Sequence, residues 1–226
     1  NDHPMGTNGI KTCISILQYL DGDSPSTHEL VSSLARKFRQ SRHGLLSDQL
    51  PIALGGLLIL DSCHPSTLDL HKCLAHLISL NPQPLTASQI ASMMKSLSAI
   101  DDSNVGTQDL ISALNTRVGM SINDVSFDDL QATCALNGLS SSDAIHKPSR
   151  ALISLIATLL DQSSSNFVKP HQIGLSFYGF MNLDSDASPN KCLMQVFADK
   201  IIVNSDPAYT YKNLIDSKSN KKWTKK

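Results

Sequence analysis

Apolar residues recur along this chain with the spacing of one helix face. From Ile10 they fall at offsets 0, 3, 4, 7 and 10, and similar segments start at Leu50, Ile90, Leu130 and Ile173. This spacing predicts amphipathic α-helices, because 3.6 residues make one helical turn. The segments lie 40, 40, 40 and 43 residues apart, so the sequence contains an internal repeat. An aspartate follows at offset 11 in four of the five segments: Asp21, Asp61, Asp101 and Asp184.

A second helix of the same kind follows the first in every repeat, 20 to 22 residues later. These second helices begin near Leu30, Leu70, Leu110, Leu152 and Leu193. Candidate N-cap residues precede three of them, namely Ser26 or Thr27, Ser66 or Thr67, and Thr107. The alternation of apolar and polar residues that is typical of strands does not occur at useful length.

We therefore predict an all-α fold, an α-solenoid of five helical hairpin repeats of about 40 residues. Such hairpins stack because each can bury its apolar face only against its neighbours. The solenoid is predicted over residues 1–211 and a basic C-terminal tail over residues 212–226. Within the solenoid, the repeats lie near residues 9–48, 49–88, 89–128, 129–171 and 172–211.

The two helices of a repeat differ in their polar residues. The first helices are small or apolar even opposite their main stripe, as at Ile52 and Ile59, so we expect them to form a buried inner layer. Glycine costs a helix about 1 kcal/mol relative to alanine, which favours a role in close helix–helix approach, with simple tolerance of glycine as the alternative. The glycines concerned are Gly55, Gly56, Gly138, Gly174 and Gly179. The second helices carry a mixed polar face that is typical of contact with solvent.

Six residues of the first helices are candidates to face a ligand or partner at the concave edge of the solenoid. They are Lys11, Gln18, Lys95, Ser98, Gln131 and Tyr178.

Three segments carry a resemblance to a known kind of repeat: QLPIALGGLLIL (49–60), QIASMMKSLSAI (89–100) and QIGLSFYGFMNL (172–183). The chain resembles, over residues 9–204, the octotricopeptide-type repeats and the related Tyr-Gly-Leu-rich repeats of algal and protist organellar proteins. Their first helix reads roughly Gln-Ile-x-x-Ala-Leu-Tyr-Gly-Leu, and Tyr178-Gly179 keeps its Tyr-Gly pair. Repeat four departs from the pattern, with Asn137 and Ser140 at normally apolar offsets. The resemblance implies RNA binding inside a mitochondrion or plastid, in transcript maturation, stability, translation or ribosome structure.

The distribution of charge argues against RNA binding by the repeats. Residues 1–211 contain 13 Lys and Arg against 19 Asp and Glu, a net charge of −6, whereas residues 212–226 carry +5. A protein that reads RNA normally shows a basic stripe, because affinity depends on neutralising phosphates. The candidate phosphate contacts are Arg36, Lys37, Arg39 and Arg42 in one cluster, and Lys221, Lys222 and Trp223 in the tail. The first cluster also suits the negative end of a helix dipole.

Candidates for chemistry are few. Cys63, His64, His71, Cys73 and His76 form a dense set of possible zinc ligands. A zinc site needs a tetrahedral cage, whereas Cys73 falls on the apolar stripe of its helix and His76 on the polar face, and no second ligand pair follows. Paired carboxylates at Asp101-Asp102 and Asp128-Asp129 are expected to cap helices. We therefore predict no metal, no cofactor, no small-molecule substrate and no enzymatic activity.

Other features bear on the compartment. The five cysteines are odd in number and far apart, which favours a reducing compartment. The chain starts with Asn1 and not with methionine, so we expect a fragment or processed product without its targeting peptide. Its longest apolar stretches, residues 50–60 and 151–160, are shorter than the roughly 20 residues of a membrane span.

Two functions fit these observations. The favoured one is a scaffold that binds protein subunits of a large organellar assembly. The alternative is an organellar RNA-binding repeat protein. The two differ in their response to salt, because phosphate contacts weaken steeply as the ionic strength rises and an apolar interface barely responds.

Overall fold

The computed structural model describes residues 6–98, 100–140, 142, 145–164, 167, 169–184 and 186–201. Within these ranges the chain forms ten α-helices and no strand, which confirms the all-α prediction. The helices are α1 (Thr7–Leu17), α2 (Pro25–Arg39), α3 (Leu50–Gly55), α4 (Pro65–Ser79), α5 (Ala87–Leu97), α6 (Val105–Ser121), α7 (Asp129–Asn137), α8 (Lys147–Gln162), α9 (Pro170–Gly179) and α10 (Ser188–Lys200). The predicted basic tail, with Lys221, Lys222 and Trp223, lies outside the described residues.

The helices pack in two layers. In the odd-helix layer α1 contacts α3, α3 contacts α5, α5 contacts α7 and α7 contacts α9. In the even-helix layer α2, α4, α6, α8 and α10 contact one another in the same order. Each predicted repeat therefore contributes one helix to each layer.

One continuous apolar core lies between the layers. The odd helices contribute residues such as Ile10, Ile14 and Leu17, and the even helices contribute residues such as Leu74 and Leu114. Each of these side chains is fully buried. Burial of one such side chain stabilises the fold by about 1.5–3 kcal/mol, so the repeated apolar stripes provide the main driving force for stacking.

Loops that follow even helices tie three of the four pairs of adjacent repeats together. Leu45 donates its backbone N–H to the carbonyl of Leu77 at 3.1 Å, and Phe167 donates to the carbonyl of Lys200 at 2.9 Å. Between them, the Leu85 N–H donates to the hydroxyl of Ser121 at 2.6 Å. These bonds satisfy buried backbone groups that the helices themselves cannot reach.

Glycine allows close approach at three of the five predicted positions. A Cβ atom at Gly56, Gly138 or Gly179 would lie 1.9–2.2 Å from a backbone carbonyl oxygen of the preceding odd helix. The prediction is wrong for Gly55, where the nearest atom would be 3.9 Å away, and for Gly174, where nothing lies within 4 Å. Those two glycines lie on sides of their helices that no backbone approaches.

The predicted register of repeat four is wrong by two residues. Leu130, which the sequence pattern aligns with the buried Ile10, is 65% exposed, whereas Ala132 is fully buried. A capping box explains the shift: the Asp128 carboxylate accepts from the Gln131 N–H at 2.8 Å, and the Gln131 amide oxygen accepts from the Asp128 N–H at 3.0 Å. When the repeat is counted from Ala132, Asn137 falls at offset 5, outside the buried positions of α7.

The aspartate at offset 11 shapes the turn between the two helices of a repeat. In four repeats its carboxylate accepts the backbone N–H two residues further on, at 2.9–3.3 Å. The expectation that Asp101 caps a helix is therefore wrong, whereas Asp128 does cap α7. Asp102 is buried and accepts a hydrogen bond from the Ser149 hydroxyl.

The even helices begin earlier than predicted. The N-cap residues of α2, α4 and α6 are Ser24, His64 and Asn104, two or three residues before the predicted caps. Pro25 and Pro65 follow the first two caps, and proline is well suited to the first helical position. The predicted cap residues Thr27, Thr67 and Thr107 are instead buried inside the first turn.

Candidate functional site

The odd helices expose the side that points away from the even layer. This side carries the residues at offsets 2, 5 and 8 counted from Ile10, Leu50, Ile90, Ala132 and Ile173, and none of them is buried. We call them the odd-helix face: Thr12, Ser15, Gln18, Ile52, Gly55, Leu58, Ser92, Lys95, Ser98, Cys134, Asn137, Ser140, Leu175, Tyr178 and Met181.

The expectation that the first helices are buried on several sides is wrong at this face. Ile52, Leu58, Leu175, Tyr178 and Met181 are exposed there. Their helices are covered on one side by the even layer and flanked by neighbours in their own layer, and no third layer exists among the described residues. The apolar character of the first helices therefore has two origins, the core and an open surface.

Four of the six predicted contact residues lie on the odd-helix face. Gln18, Lys95, Ser98 and Tyr178 belong to the odd-helix face, and Ser98 also donates its hydroxyl proton to the Lys95 carbonyl at 2.7 Å. Lys11 is half-buried at the border of the face. Gln131 lies at the start of α7, where its side chain closes the capping box.

The apolar side chains of the face form two patches. Ile52 and Leu58 belong to α3 and its following turn, whereas Leu175, Tyr178 and Met181 belong to α9 and its following turn. Three helix-to-helix spacings separate the two patches, which is about 27 Å. Within the residues that define the face, Lys95 is the one charged side chain.

The predicted basic cluster lies at the end of α2, in the even layer. Arg36 is exposed and donates to the Ser33 hydroxyl at 3.2 Å, and Arg42 is exposed beyond the helix end. Arg39 forms an exposed ion pair with Asp69, and Lys37 is half-buried. Because α2 is an even helix, these cations do not belong to the odd-helix face.

The possible zinc ligands are directed to different neighbours. The Cys73 thiol is buried and donates to the Ala35 carbonyl at 3.3 Å, and burial raises its pKa. Cys63 is exposed, with its sulfur 3.8 Å from an Asp101 carboxylate oxygen. Throughout the described ranges, no three His, Cys, Asp or Glu side chains are arranged to hold a metal ion. Those ranges also contain no helix of the length and apolarity that a membrane crossing requires.

His71 is a buried titratable group of the even layer. Its Nδ1 atom lies 3.0 Å from the Thr107 hydroxyl, and burial lowers its pKa to about 4 from the ordinary value of 6.5. As the pH falls below 6.5, the unfolded chain binds a proton at this residue before the folded chain does. Stability is therefore fully present above pH 6.5 and is lost progressively between pH 6.5 and 4.

We expect this loss to reach about 3 kcal/mol at pH 4. Denaturant unfolding of the wild type and of His71→Gln, measured between pH 7 and pH 4, isolates the contribution, because glutamine retains a polar side chain that does not titrate. The wild type should lose more stability over this interval than the variant. Parallel curves for the two proteins would contradict the assignment.

A buried arginine, Arg117 of α6, is a structural residue that the sequence reasoning missed. It is 1% exposed and donates hydrogen bonds to loop residues and to the end of α4 in the two preceding repeats. Its acceptors are the carbonyls of Leu45, Ile78, Asn81 and Gln83 and the hydroxyl of Ser47. Burial lowers its pKa, and no carboxylate of the described residues pairs with it. The repeat pattern indicates that this position is buried, because Arg117 has the same position in its helix as the buried Leu77 and Leu159.

Comparison of the chain with protein-family models, with curated proteins and with solved structures returns no match. The resemblance to octotricopeptide-type repeats therefore stays a prediction from the sequence.

Proposed function

We propose that this chain is a non-enzymatic α-solenoid of five helical hairpin repeats, and that it binds protein subunits of a large organellar assembly. The layered packing supports the solenoid, because odd helices stack on odd helices and even helices on even helices. The proposed organelle, a mitochondrion or plastid, depends on the repeat resemblance alone.

The observation that carries this proposal is the pair of exposed apolar patches on the nearly uncharged odd-helix face. Exposed apolar patches are typical of protein–protein interaction sites. Ile52 and Leu58 offer one such patch, and Leu175, Tyr178 and Met181 offer the other. A partner that covers both patches has to desolvate only one charged group of the face, Lys95, so burial of the patches is not opposed by the cost of desolvating several charges.

Electrostatics favours a protein partner over RNA. The odd-helix face supplies one cation, whereas RNA binding depends on several contacts between cations and phosphates. The turns beside this face carry the exposed carboxylates of Asp21, Asp61, Asp101 and Asp184, which repel phosphate. The RNA-binding alternative therefore has the weaker support.

The test uses the tagged full chain, expressed in the cells from which it comes. We expect the wild type to co-elute with defined protein subunits in a particle much larger than the monomer. The double variant Ile52→Asp/Tyr178→Asp should shift to the monomer fraction, because each patch then carries a charge that the interface has to desolvate. A matched control, Ser112→Asp/Thr158→Asp, adds the same charge on exposed positions of even helices and should stay in the particle.

Two outcomes would contradict the scaffold role. One is equal behaviour of the two double variants. The other is saturable binding of a single-stranded RNA of about 30 nucleotides at sub-micromolar protein, weakening steeply between low and high salt, which would favour the RNA alternative. We expect no saturable RNA binding below about 10 μM protein, a range in which many non-specific nucleic-acid binders already act.

A further inference from the structure

Exposed positions of the even helices carry cations in the first two repeats and neutral hydroxyl side chains in the next two. Two such positions recur in every even helix, and the residues at them are all exposed. In order from α2 to α10 they are Ser32 and Arg36, Lys72 and His76, Ser112 and Thr116, Ser154 and Thr158, and Gln195 and Asp199. Because serine and threonine occupy these positions in α6 and α8, the helical packing does not require a cation there.

The cations of α2 and α4 extend from adjoining stretches of the two helices. The Cys73 thiol of α4 donates to the Ala35 carbonyl of α2 at 3.3 Å, so the two backbones approach closely at this point. Arg36 is next to one of these residues in the chain, and Lys72 is next to the other. Both cations are exposed, which places two positive charges side by side on the surface.

Two further arginines extend this area of positive charge. Arg39 forms its exposed ion pair with Asp69 of α4, and Arg42 is exposed just beyond the end of α2. The loop that carries Arg42 runs along α4, since the Leu45 N–H donates to the Leu77 carbonyl three residues later in this loop. We call the four cations the basic surface: Arg36, Arg39, Arg42 and Lys72.

Three of the four cations have no acidic partner. Among the described residues, no carboxylate oxygen lies within 4.0 Å of the charged groups of Arg36, Arg42 and Lys72. The dipole of α2 accounts only for Arg36 and Arg39, which lie in its last turns. Lys72 lies two turns before the end of α4, and Arg42 lies outside α2. The basic surface therefore has positive charge to offer to an anionic partner.

We propose that the basic surface binds an acidic segment of a partner protein, whose carboxylates pair with Arg36, Arg42 and Lys72. Two of these cations are arginines, and a guanidinium donates two parallel hydrogen bonds to one carboxylate. This contact is independent of the partner proposed for the odd-helix face, because α2 and α4 belong to the other layer.

Charge argues against the chain's own C-terminal segment as the occupant. Residues 202–226 contain six lysines against two aspartates, a net charge of +4. Like charges across an interface repel, so this segment is the wrong sign for the basic surface.

RNA fits the basic surface less well than an acidic protein segment does. Glu29 lies two turns before Arg36, and Asp69 lies one turn before Lys72, so a strand with a phosphate at every nucleotide has to pass these carboxylates. A protein segment can instead place its acidic residues opposite the cations alone. Bases also lack a stacking platform, because the single Phe, Tyr or Trp of residues 25–79 is Phe38, which is fully buried.

The test measures binding of the full chain to a fluorescein-labelled peptide of about ten residues, in which glutamate and serine alternate, by fluorescence anisotropy at low salt. We expect saturable binding that weakens at least tenfold in Arg36→Glu/Lys72→Glu, because two attractive contacts become repulsive. The matched control is Arg150→Glu/Lys191→Glu, which makes the same change of charge at exposed positions of α8 and α10. Its affinity should stay within about twofold of the wild type.

Circular dichroism checks that both double variants are folded, and Arg36→Gln/Lys72→Gln replaces the first if it is not. An equal loss of affinity in the two double variants would overturn the proposal, since it would report net charge and not a surface. Absence of saturable peptide binding would also overturn it.

Two other results would assign the basic surface to a different occupant. One is binding of a single-stranded RNA of about 30 nucleotides in place of the peptide, with loss in Arg36→Glu/Lys72→Glu. The other is self-association of the chain in analytical ultracentrifugation that is lost in the same variant, which would identify a second copy as the partner.

Discussion

Replacement of Arg117 by methionine is expected to lower the free energy of unfolding by about 4 kcal/mol. Methionine fills a similar volume but donates no hydrogen bond. The substitution leaves carbonyls of two loops and of the last turn of α4 without their donor. Those of Leu45 and Ile78 are buried, and that of Asn81 is part-buried and lies 2.6 Å from the guanidinium. Each unsatisfied buried acceptor costs about 1–3 kcal/mol, and only some of these carbonyls can be reached by water.

The position of the guanidinium adds to this effect. The carbonyl of Ile78 belongs to the last turn of α4, where the helix dipole is negative and backbone carbonyls have no partner within the helix. Arg117 therefore caps the C-terminus of α4 from a neighbouring helix. Lys200, at the equivalent position of α10, donates to the carbonyl of Ser163 at the end of α8.

Urea unfolding followed by circular dichroism measures the change. Arg150→Met on α8 is the matched control, because Arg150 is exposed and its loss should change stability by no more than about 0.5 kcal/mol. The loss of stability in Arg117→Lys should fall between those in Arg117→Met and Arg150→Met, since an ammonium group reaches fewer of the acceptors. A loss below about 1 kcal/mol in Arg117→Met would show that the carbonyls find other donors.

The helices themselves could be predicted from the sequence because their signal is local. Apolar residues at offsets 0, 3, 4 and 7 report which side of a helix is buried, whatever the helix packs against. The register of repeat four failed because Ala132 is a weaker apolar marker than Leu130. The glutamine that precedes Leu50, Ile90 and Ile173 also precedes Ala132, and this polar residue gives the correct register.

The candidate site could be predicted only in part. Offset 5 places Lys95 and Tyr178 on an outward side of their helices once the register is known. Whether that side is open or covered depends on the number of layers, and a single helix pattern carries no information about it. Arg117 was missed for a related reason, because its acceptors lie 34 to 72 residues away and come from loops without a repeating pattern.

Glycines illustrate the same limit at the scale of one atom. Gly138 and Gly174 both fall in the first helices predicted from the sequence, and helix propensity treats them alike. The structure separates them, because the position of a Cβ at Gly138 would be 2.2 Å from the Met94 carbonyl oxygen, whereas the position at Gly174 has nothing within 4 Å. Substitution by alanine should therefore have opposite effects on the free energy of unfolding at the two residues.

We expect Gly138→Ala to lower the free energy of unfolding by about 3 kcal/mol, because α5 and α7 must separate to admit a methyl group against backbone that cannot rotate away. The backbone of Gly138 is helical, with φ −63°, so alanine adds no conformational strain and the effect is one of contact alone. Gly174→Ala is the control, and it should raise stability by up to about 1 kcal/mol through helix propensity. Thermal and urea unfolding of both variants test the pair. A destabilisation below about 1 kcal/mol at Gly138, or the same sign at both residues, would mean that the odd helices do not pack through the glycine and that the close contacts along the layer are not needed for folding.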